Sequence, residues 1–301
     1  MFVVRHLRGL WGDFWLLPLA PLAFIAGFAA LGDLRVEHVV IVAIIVALGA
    51  GTEKTKGLLI ACLPGVGIGL GYEAIRYLRP FFVTPERVLG CELRAVELRL
   101  AGLGPDTTLA DYFTLHHSAA ADLVFALPYT VFWMVAIIYG LALYFLNPAR
   151  ASRFIWVLAL SHAVAFVIWL WLPAAPPWYV RSHGCAIDIN ALPDAAALAR
   201  VDAQLAISYF HDFYSRSPNV FGALPSLHLA FPTAMLVTAW RGTNWGIRAL
   251  LLAYVLWMLA ASVYLDHHWL VDGLLGIAIV LAVDFVLARL RARRLTKAVT
   301  A

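Results

Sequence analysis

Eight apolar runs, each near the length of a bilayer-crossing helix, constrain this chain more than any other feature. They fall near residues 14–31, 36–51, 57–78, 121–146, 153–172, 225–240, 246–265 and 268–289. A spanning helix needs about 20 mainly apolar residues, because hydrocarbon offers its backbone no other hydrogen-bond partner. The 36–51 run is short, and with the first it could instead form one re-entrant hairpin. Residues are 63% hydrophobic and 13% charged, where soluble domains carry about a quarter charged. An all-α, polytopic membrane helix bundle is therefore expected. It divides into two N-terminal transmembrane helices (1–56) and a six-helix core with interfacial helices and a basic tail (57–301). The formal charge of +4 is too small to point to nucleic acid. No small-residue cleavage site follows Arg5 and Arg8, so a cleaved signal peptide is not expected.

Short loops set the orientation. One side receives Arg5, Arg8, Lys54, Lys56, Arg150, Arg153, Arg241, Arg248 and the tail residues Arg289, Arg291, Arg293, Arg294 and Lys297, with few acids. The other receives the long connections 79–120 and 173–224. Both termini are thus expected in the cytoplasm, with the long connections facing the periplasm, cell exterior or a lumen. In the first connection, Val88, Leu89, Leu93, Val96 and Leu100 share one face of an amphipathic helix suited to the interface. Residues 194–214 repeat the pattern more weakly, and Tyr209, Phe210, Phe213 and Tyr214 suit an aromatic belt. Cys91 and Cys185 lie in these connections, able to pair on an oxidising side or to stand as free thiols.

Polar residues are costly at the mouth of an apolar run, which makes two clusters candidates for chemistry. His268 and Asp272 are four residues apart and share a helix face. A carboxylate at one ring nitrogen makes the other a better nucleophile; His267 lacks such a partner, since its i+4 residue is Val271. Pro225-Ser226-Leu227-His228 opens the 225–240 run. A proline in a first helical turn would put free amides and the Ser226 hydroxyl at a helix N-terminus, a natural phosphate site. His228 is then placed to protonate a leaving alkoxide. The C-terminal end of the 57–78 run reaches the same leaflet with Arg76 and Arg79, either able to grip phosphate oxygens or to snorkel. Ser226 alone could be only a helix cap, and a lone intramembrane histidine a packing residue. The three parts together point to phosphoryl transfer through a phosphohistidine. His116 and His117 read as surface residues, Asp284 lies inside the last span and needs a partner that the sequence does not name, and no metal or other cofactor is required.

At Phe221–His228, Tyr264–Asp272 and Pro173–Tyr179 the chain resembles the type 2 phosphatidic acid phosphatase superfamily, and more narrowly its inositol phosphorylceramide synthase branch. The resemblance covers roughly residues 57–289. It implies a six-helix lipid-phosphatase-like catalytic core with His268 as nucleophile, Asp272 as its orienter and His228 as general acid then base. Three departures from the phosphatases stand out. Leu227 replaces Gly between Ser and His, Ala261-Ser262 replaces Ser-Arg, and Tyr72 stands where a lysine precedes Arg79-Pro80. The expected reaction moves a phospho-head-group from a phospholipid donor, phosphatidylinositol first, to a lipid-alcohol acceptor such as ceramide. A lipid phosphate phosphatase using the same residues and water is the alternative, and a proton-relay transporter lacks the expected inverted repeat. Arg181, His183, Asp188, Asp212 and Arg216 are the candidate head-group contacts. Protein partners are not legible.

Overall fold

The computed structural model describes the backbone of residues 2–300 and the side chains of residues 2–293. Arg294 and Lys297 of the basic tail therefore lie outside the described side chains. The chain forms two compact units, Met1–Val66 and Gly67–Ala301.

The first unit holds α1 (Phe2–Trp11), α2 (Pro21–Ala30), α3 (Val36–Ala50) and the start of α4 (Glu53–Phe82). The straight span expected at 14–31 is not formed. Segments Phe2–Phe14 and Leu17–Ala30 meet at 102°, with Pro18 and Pro21 at the start of the helical turns that follow the break. The 15 residues of α3 rise about 22 Å, short of a hydrocarbon core of about 30 Å. Trp11 Nε1 donates to the Gly49 carbonyl at 2.8 Å, and Lys56 Nζ to that of Leu10.

The second unit continues α4 and adds α5 (Cys91–Ala101), α6 (Leu109–Leu115), α7 (Ala119–Leu146), α8 (Pro148–Trp171), α9 (Pro177–His183), α10 (Ala199–Leu205), α11 (Tyr209–Tyr214), α12 (Ala230–Ala239), α13 (Trp245–Tyr264) and α14 (Leu270–Thr300). Asn147 and Asn244 cap α8 and α13, and Ser118 caps α7, each accepting a first-turn amide. Among the described residues five helices are long and apolar enough to cross a membrane, namely α4, α7, α8, α13 and α14 over Leu270–Arg293; the bent N-terminal pair would make six. The expected count of eight is therefore not confirmed.

The run at 225–240 accounts for part of that difference. Only its second half is helical, and α12 with 10 residues rises about 15 Å. It packs against α7, α8, α13 and α14 and is buried along almost its whole length. The irregular backbone ahead of it is tolerated because protein surrounds it. Phe221, Ala223, Leu224 and Ser226 are all buried, and the Leu224–Pro225 peptide is cis.

The two long connections fold over this centre. Three extended segments join side by side: Leu89 N donates to Pro173 O, Ala175 N to Leu89 O, Ala174 N to Phe221 O and Ala223 N to Ala174 O, at 2.8–3.2 Å. Cys91 and Cys185 are disulfide-bonded, while Cys62 is free and exposed. The apolar face expected for α5 is only partly the buried one. Val88 and Leu93 are buried, but Val96 and Leu100 are exposed, and the deepest side chain of the helix is Glu97. In the second connection Leu198, Val201 and Phe210 face the core, and Tyr209 and Phe213 face outward.

Asp284 finds its partner in Arg153 of α8, whose Nε and Nη2 donate to its two carboxylate oxygens at 2.7 and 2.6 Å. Both side chains are partly buried, and removing one member strands the other charge, a loss between about 1 kcal/mol for an exposed pair and about 3 kcal/mol for a buried one. Asp284→Leu is thus expected to lower the thermal midpoint in detergent clearly, and the double change with Arg153→Met to recover most of it. Strictly additive losses would remove the pair as a structural link.

Candidate active site

The two histidine motifs meet at their backbones first. Ser226 N donates to the Asp272 carbonyl at 3.0 Å. An added Cβ on Gly276 would come within 2.4 Å of the Ser226 carbonyl oxygen, so only glycine lets α14 approach this segment so closely. Gly276→Ala is expected to push the motifs apart and to cut activity at least about tenfold with expression retained; wild-type activity would show that the segment moves freely.

The side chains then form a directed hydrogen-bond chain. His268 Nδ1 lies 2.9 Å from the Ala223 carbonyl and 3.5 Å from Asp272 Oδ2. A carbonyl only accepts, so Nδ1 carries the proton and Nε2 presents a lone pair. That lone pair faces His228 Nδ1 at 3.1 Å, which makes Nδ1 the protonated nitrogen of His228. The Tyr214 hydroxyl, 3.5 Å from His228 Nε2, completes the chain. Tyr129 stacks on His228 with ring centroids 4.2 Å apart, and Phe132 meets it edge-on at 5.1 Å.

His267 turns away from this line. It faces the Ala195 carbonyl at 3.1 Å and stacks on Tyr214 at 4.4 Å. Burial, with His268 beside it, holds its pKa down at about 3, so it is a neutral packing group at physiological pH.

Asp272 has two tasks. Its Oδ2 accepts the Trp269 amide at 2.9 Å as well as standing near His268, while its Oδ1 and the Ser226 hydroxyl are buried without a protein partner. The Ala223 carbonyl, which no motif names, is the nearer partner of His268. Trp269 is fixed in turn by its Nε1 on the Ala175 carbonyl at 3.0 Å, so the Pro173–Tyr179 segment supports the catalytic turn.

The expected helix N-terminus at Pro225 is absent, because α12 begins five residues later. The start of α14 is no substitute. The Trp269 amide goes to Asp272, and those of Leu270 and Val271 go to Glu97 at 3.0 and 3.3 Å. The amides at the start of α14 are therefore not free to supply the phosphate field.

Of the two arginines, Arg76 is the one tied to this neighbourhood. It donates to the Arg216 carbonyl at 2.8 Å, two residues beyond Tyr214, and lies 3.7 Å from Glu73. Arg79 sits one turn on, partly exposed. Leu227 packs beside Ile75, Phe166 and Trp169, and Tyr72 meets Trp169 at 6.3 Å. Trp169 Nε1 in turn holds the Pro225 carbonyl at 3.3 Å. Two of the departures from the phosphatase pattern are thus apolar packing around the Pro-Ser-Leu-His segment. At the third, the Ser262 carbonyl receives the amides of His267 and His268.

Outside the histidine pair, a cleft of about 580 Å³ is lined by Trp178, Arg181, His183, Asp188 and Asp266 among others. Arg181 grips both oxygens of Asp266, whose carboxyl burial pushes up to about 6 against that pairing. Asp212 is exposed, bonded to Ser208 at 2.7 Å. His116 and His117 are exposed and bond to carbonyls of their own helix.

The sequence profile of the PAP2 superfamily matches residues 92–286. The chain belongs to the PAP2 superfamily. A phosphoinositol dihydroceramide synthase of Bacteroides thetaiotaomicron is 33% identical over 255 residues, which is 83% of each chain. The inositol phosphorylceramide synthase catalytic subunit of Saccharomyces cerevisiae is 36% identical over 107 residues, 35% of this chain and 26% of that one. The inositol phosphorylceramide synthase of Candida albicans is 27% identical over 195 residues, 64% and 40% of the two chains. No solved structure matches. With its apolar helices and these relatives, this PAP2 protein is an integral membrane protein.

Proposed function

We propose that this membrane phosphotransferase moves a phospho-head-group from a phospholipid to a lipid alcohol through a phosphohistidine on His268. Phosphoinositol from phosphatidylinositol is the head group and ceramide the acceptor that the named relatives favour. The observation that carries the mechanism is the 3.1 Å contact from a proton-bearing His228 nitrogen to the lone pair of His268.

In the first half-reaction His268 Nε2 attacks phosphorus. The N–P bond forms, the bond to the diacylglycerol oxygen breaks, and that oxygen takes the Nδ1 proton of His228 in its imidazolium form. This leaves a neutral ring with Nε2–H toward the Tyr214 oxygen. Asp272 and the Ala223 carbonyl hold Nδ1–H of His268 and favour the charge that develops on the ring. In the second half-reaction His228 Nδ1 removes the proton of the acceptor hydroxyl. The oxygen attacks phosphorus, the N–P bond breaks, and His268 is restored.

Ser226, buried with a free hydroxyl, donates a hydrogen bond to the phosphate, and Arg76, with Arg79 behind it, supplies positive charge from α4. The rings of Tyr129, Phe132 and Tyr214 around the histidines keep water from replacing the acceptor. Both termini are placed in the cytoplasm and the site on the periplasmic, exterior or lumenal face. The basic short loops and the Cys91–Cys185 disulfide, a bond that persists in oxidising compartments, support that orientation.

The test uses purified protein in liposomes with phosphatidylinositol and fluorescent ceramide. A phosphorylated ceramide product is expected. Release of inorganic phosphate from phosphatidate or a polyprenyl phosphate, without that product, would make the enzyme a lipid phosphatase instead.

A further inference from the structure

We propose that Glu97 is a positioning residue for the phosphotransfer reaction, holding the His268–Asp272 turn in register from an extramembrane helix. The inference rests on the function proposed above and adds to it a residue outside both histidine motifs.

A helix start leaves four backbone amides without partners, and a Ser, Thr, Asp or Asn at the cap usually accepts one of them. At the start of α14 the residues are His268 and Trp269, neither of which caps. Asp272 reaches back only to the Trp269 amide. The Leu270 and Val271 amides go to Oε1 and Oε2 of Glu97, 173 and 174 residues away in sequence. That carboxylate is fully buried. Burial pushes its acid upward, and the two amide bonds work against that push.

A carboxylate is costly to bury, and a Leu or Met would fill this place more cheaply if only packing were needed. The two-amide grip does what packing would not, because it fixes both the advance and the rotation of the first turn of α14. His268 and Asp272 flank that turn, so the 3.5 Å spacing between them and the aim of His268 Nε2 at His228 depend on it.

The helix that carries Glu97 is itself held firmly. Its first residue is Cys91, bonded to Cys185 beyond α9, and Leu93 packs in one cluster with Trp269 and, at its edge, Val271. Glu97 thus couples the folded outer cover to the catalytic turn.

The experiment measures transfer from phosphatidylinositol to ceramide by full-length wild type, Glu97→Gln and Glu97→Ala in liposomes, with His268→Ala as the blank. Folding is followed by gel filtration and by the Cys91–Cys185 bond on non-reducing gels. For Glu97→Ala, kcat is expected to fall about 100-fold with KM for both lipids within about twofold, the pattern of a misplaced catalytic group. Glu97→Gln keeps one acceptor oxygen but turns an amide NH2 toward the other backbone N–H, so it should recover only part of that loss, about tenfold.

Folded Glu97→Ala with wild-type kcat would overturn the proposal, as would a loss that falls on KM or that Glu97→Gln does not recover. If Glu97→Ala does not fold, Glu97→Gln against wild type decides by the same split, and failure of both to fold reduces Glu97 to a plain structural cap. Should wild type release phosphate from phosphatidate rather than form the ceramide product, the head-group reading fails separately. The Glu97 variants are then scored on that hydrolysis, which uses the same histidine.

Discussion

His268→Asn is expected to abolish head-group transfer, by about 10⁴-fold or more, while leaving the fold intact. The Asn amide nitrogen falls where Nδ1 of His268 stands, so it can still donate to the Ala223 carbonyl, now 2.9 Å away. What the variant lacks is Nε2, the nitrogen with the lone pair. Loss of a nucleophile removes the covalent route and leaves only binding and polarisation, hence the size of the effect. Asp272→Asn should cost less than His268→Asn, because the Ala223 carbonyl continues to hold the Nδ1 proton. The check is kcat for all three proteins, with thermal midpoints measured in the same detergent. Residual transfer by His268→Asn within about tenfold of wild type would remove the covalent step from the reaction.

The second large effect belongs to His228. His228→Asn should lower kcat by about 10²–10⁴-fold, the usual contribution of a general acid–base group. The loss should depend on the leaving group. A natural donor departs as an alkoxide and needs the proton from Nδ1; a nitrophenyl phosphoinositol departs as a stabilised phenolate and does not. With the activated donor the first half-reaction of His228→Asn is therefore expected to approach wild type. The second half-reaction stays slow, because the acceptor hydroxyl still has to lose its proton. A burst of nitrophenol followed by slow turnover is the signature. An equal loss with both donors would assign His228 a binding role.

Much of this architecture was legible in the pattern of apolar residues, since a long helix exposed to lipid must be apolar almost throughout. Helices α4, α7, α8, α13 and α14 fall on the expected runs for that reason. At 225–240 the same pattern covers a shorter helix than expected. A short helix buried on all sides by α7, α8, α13 and α14 is as apolar as a span, and hydropathy does not distinguish lipid from protein as the surrounding medium. The N-terminal runs differ in another way, through a sharp bend at Phe14–Leu17 and a helix of only 15 residues.

At the site, the four-residue spacing of His268 and Asp272 placed them on one turn, as found. Their remaining partners left weaker traces. The Ala223 carbonyl is backbone and has no side-chain signature. Tyr214 was legible only as part of an aromatic belt, and Glu97 lies on what reads as the polar face of an interfacial helix. Its burial depends on α5 docking against α14, a contact between segments far apart in sequence. The cysteine pairing and the Arg153–Asp284 bridge are of the same kind, for each partner was visible alone and the match was made by the fold.

The most direct measurement is to trap the covalent intermediate. Wild-type protein is mixed with phosphatidylinositol labelled in its phosphate, without acceptor, then quenched in base and digested. Label is expected on the peptide containing His268, stable to base and lost in acid as a phosphohistidine should be, and absent from His268→Asn. Label that chases into ceramide when the acceptor is added would complete the sequence of steps. Full transfer activity with no protein-bound label, or with label on another residue, would contradict the assignment of His268 as the nucleophile.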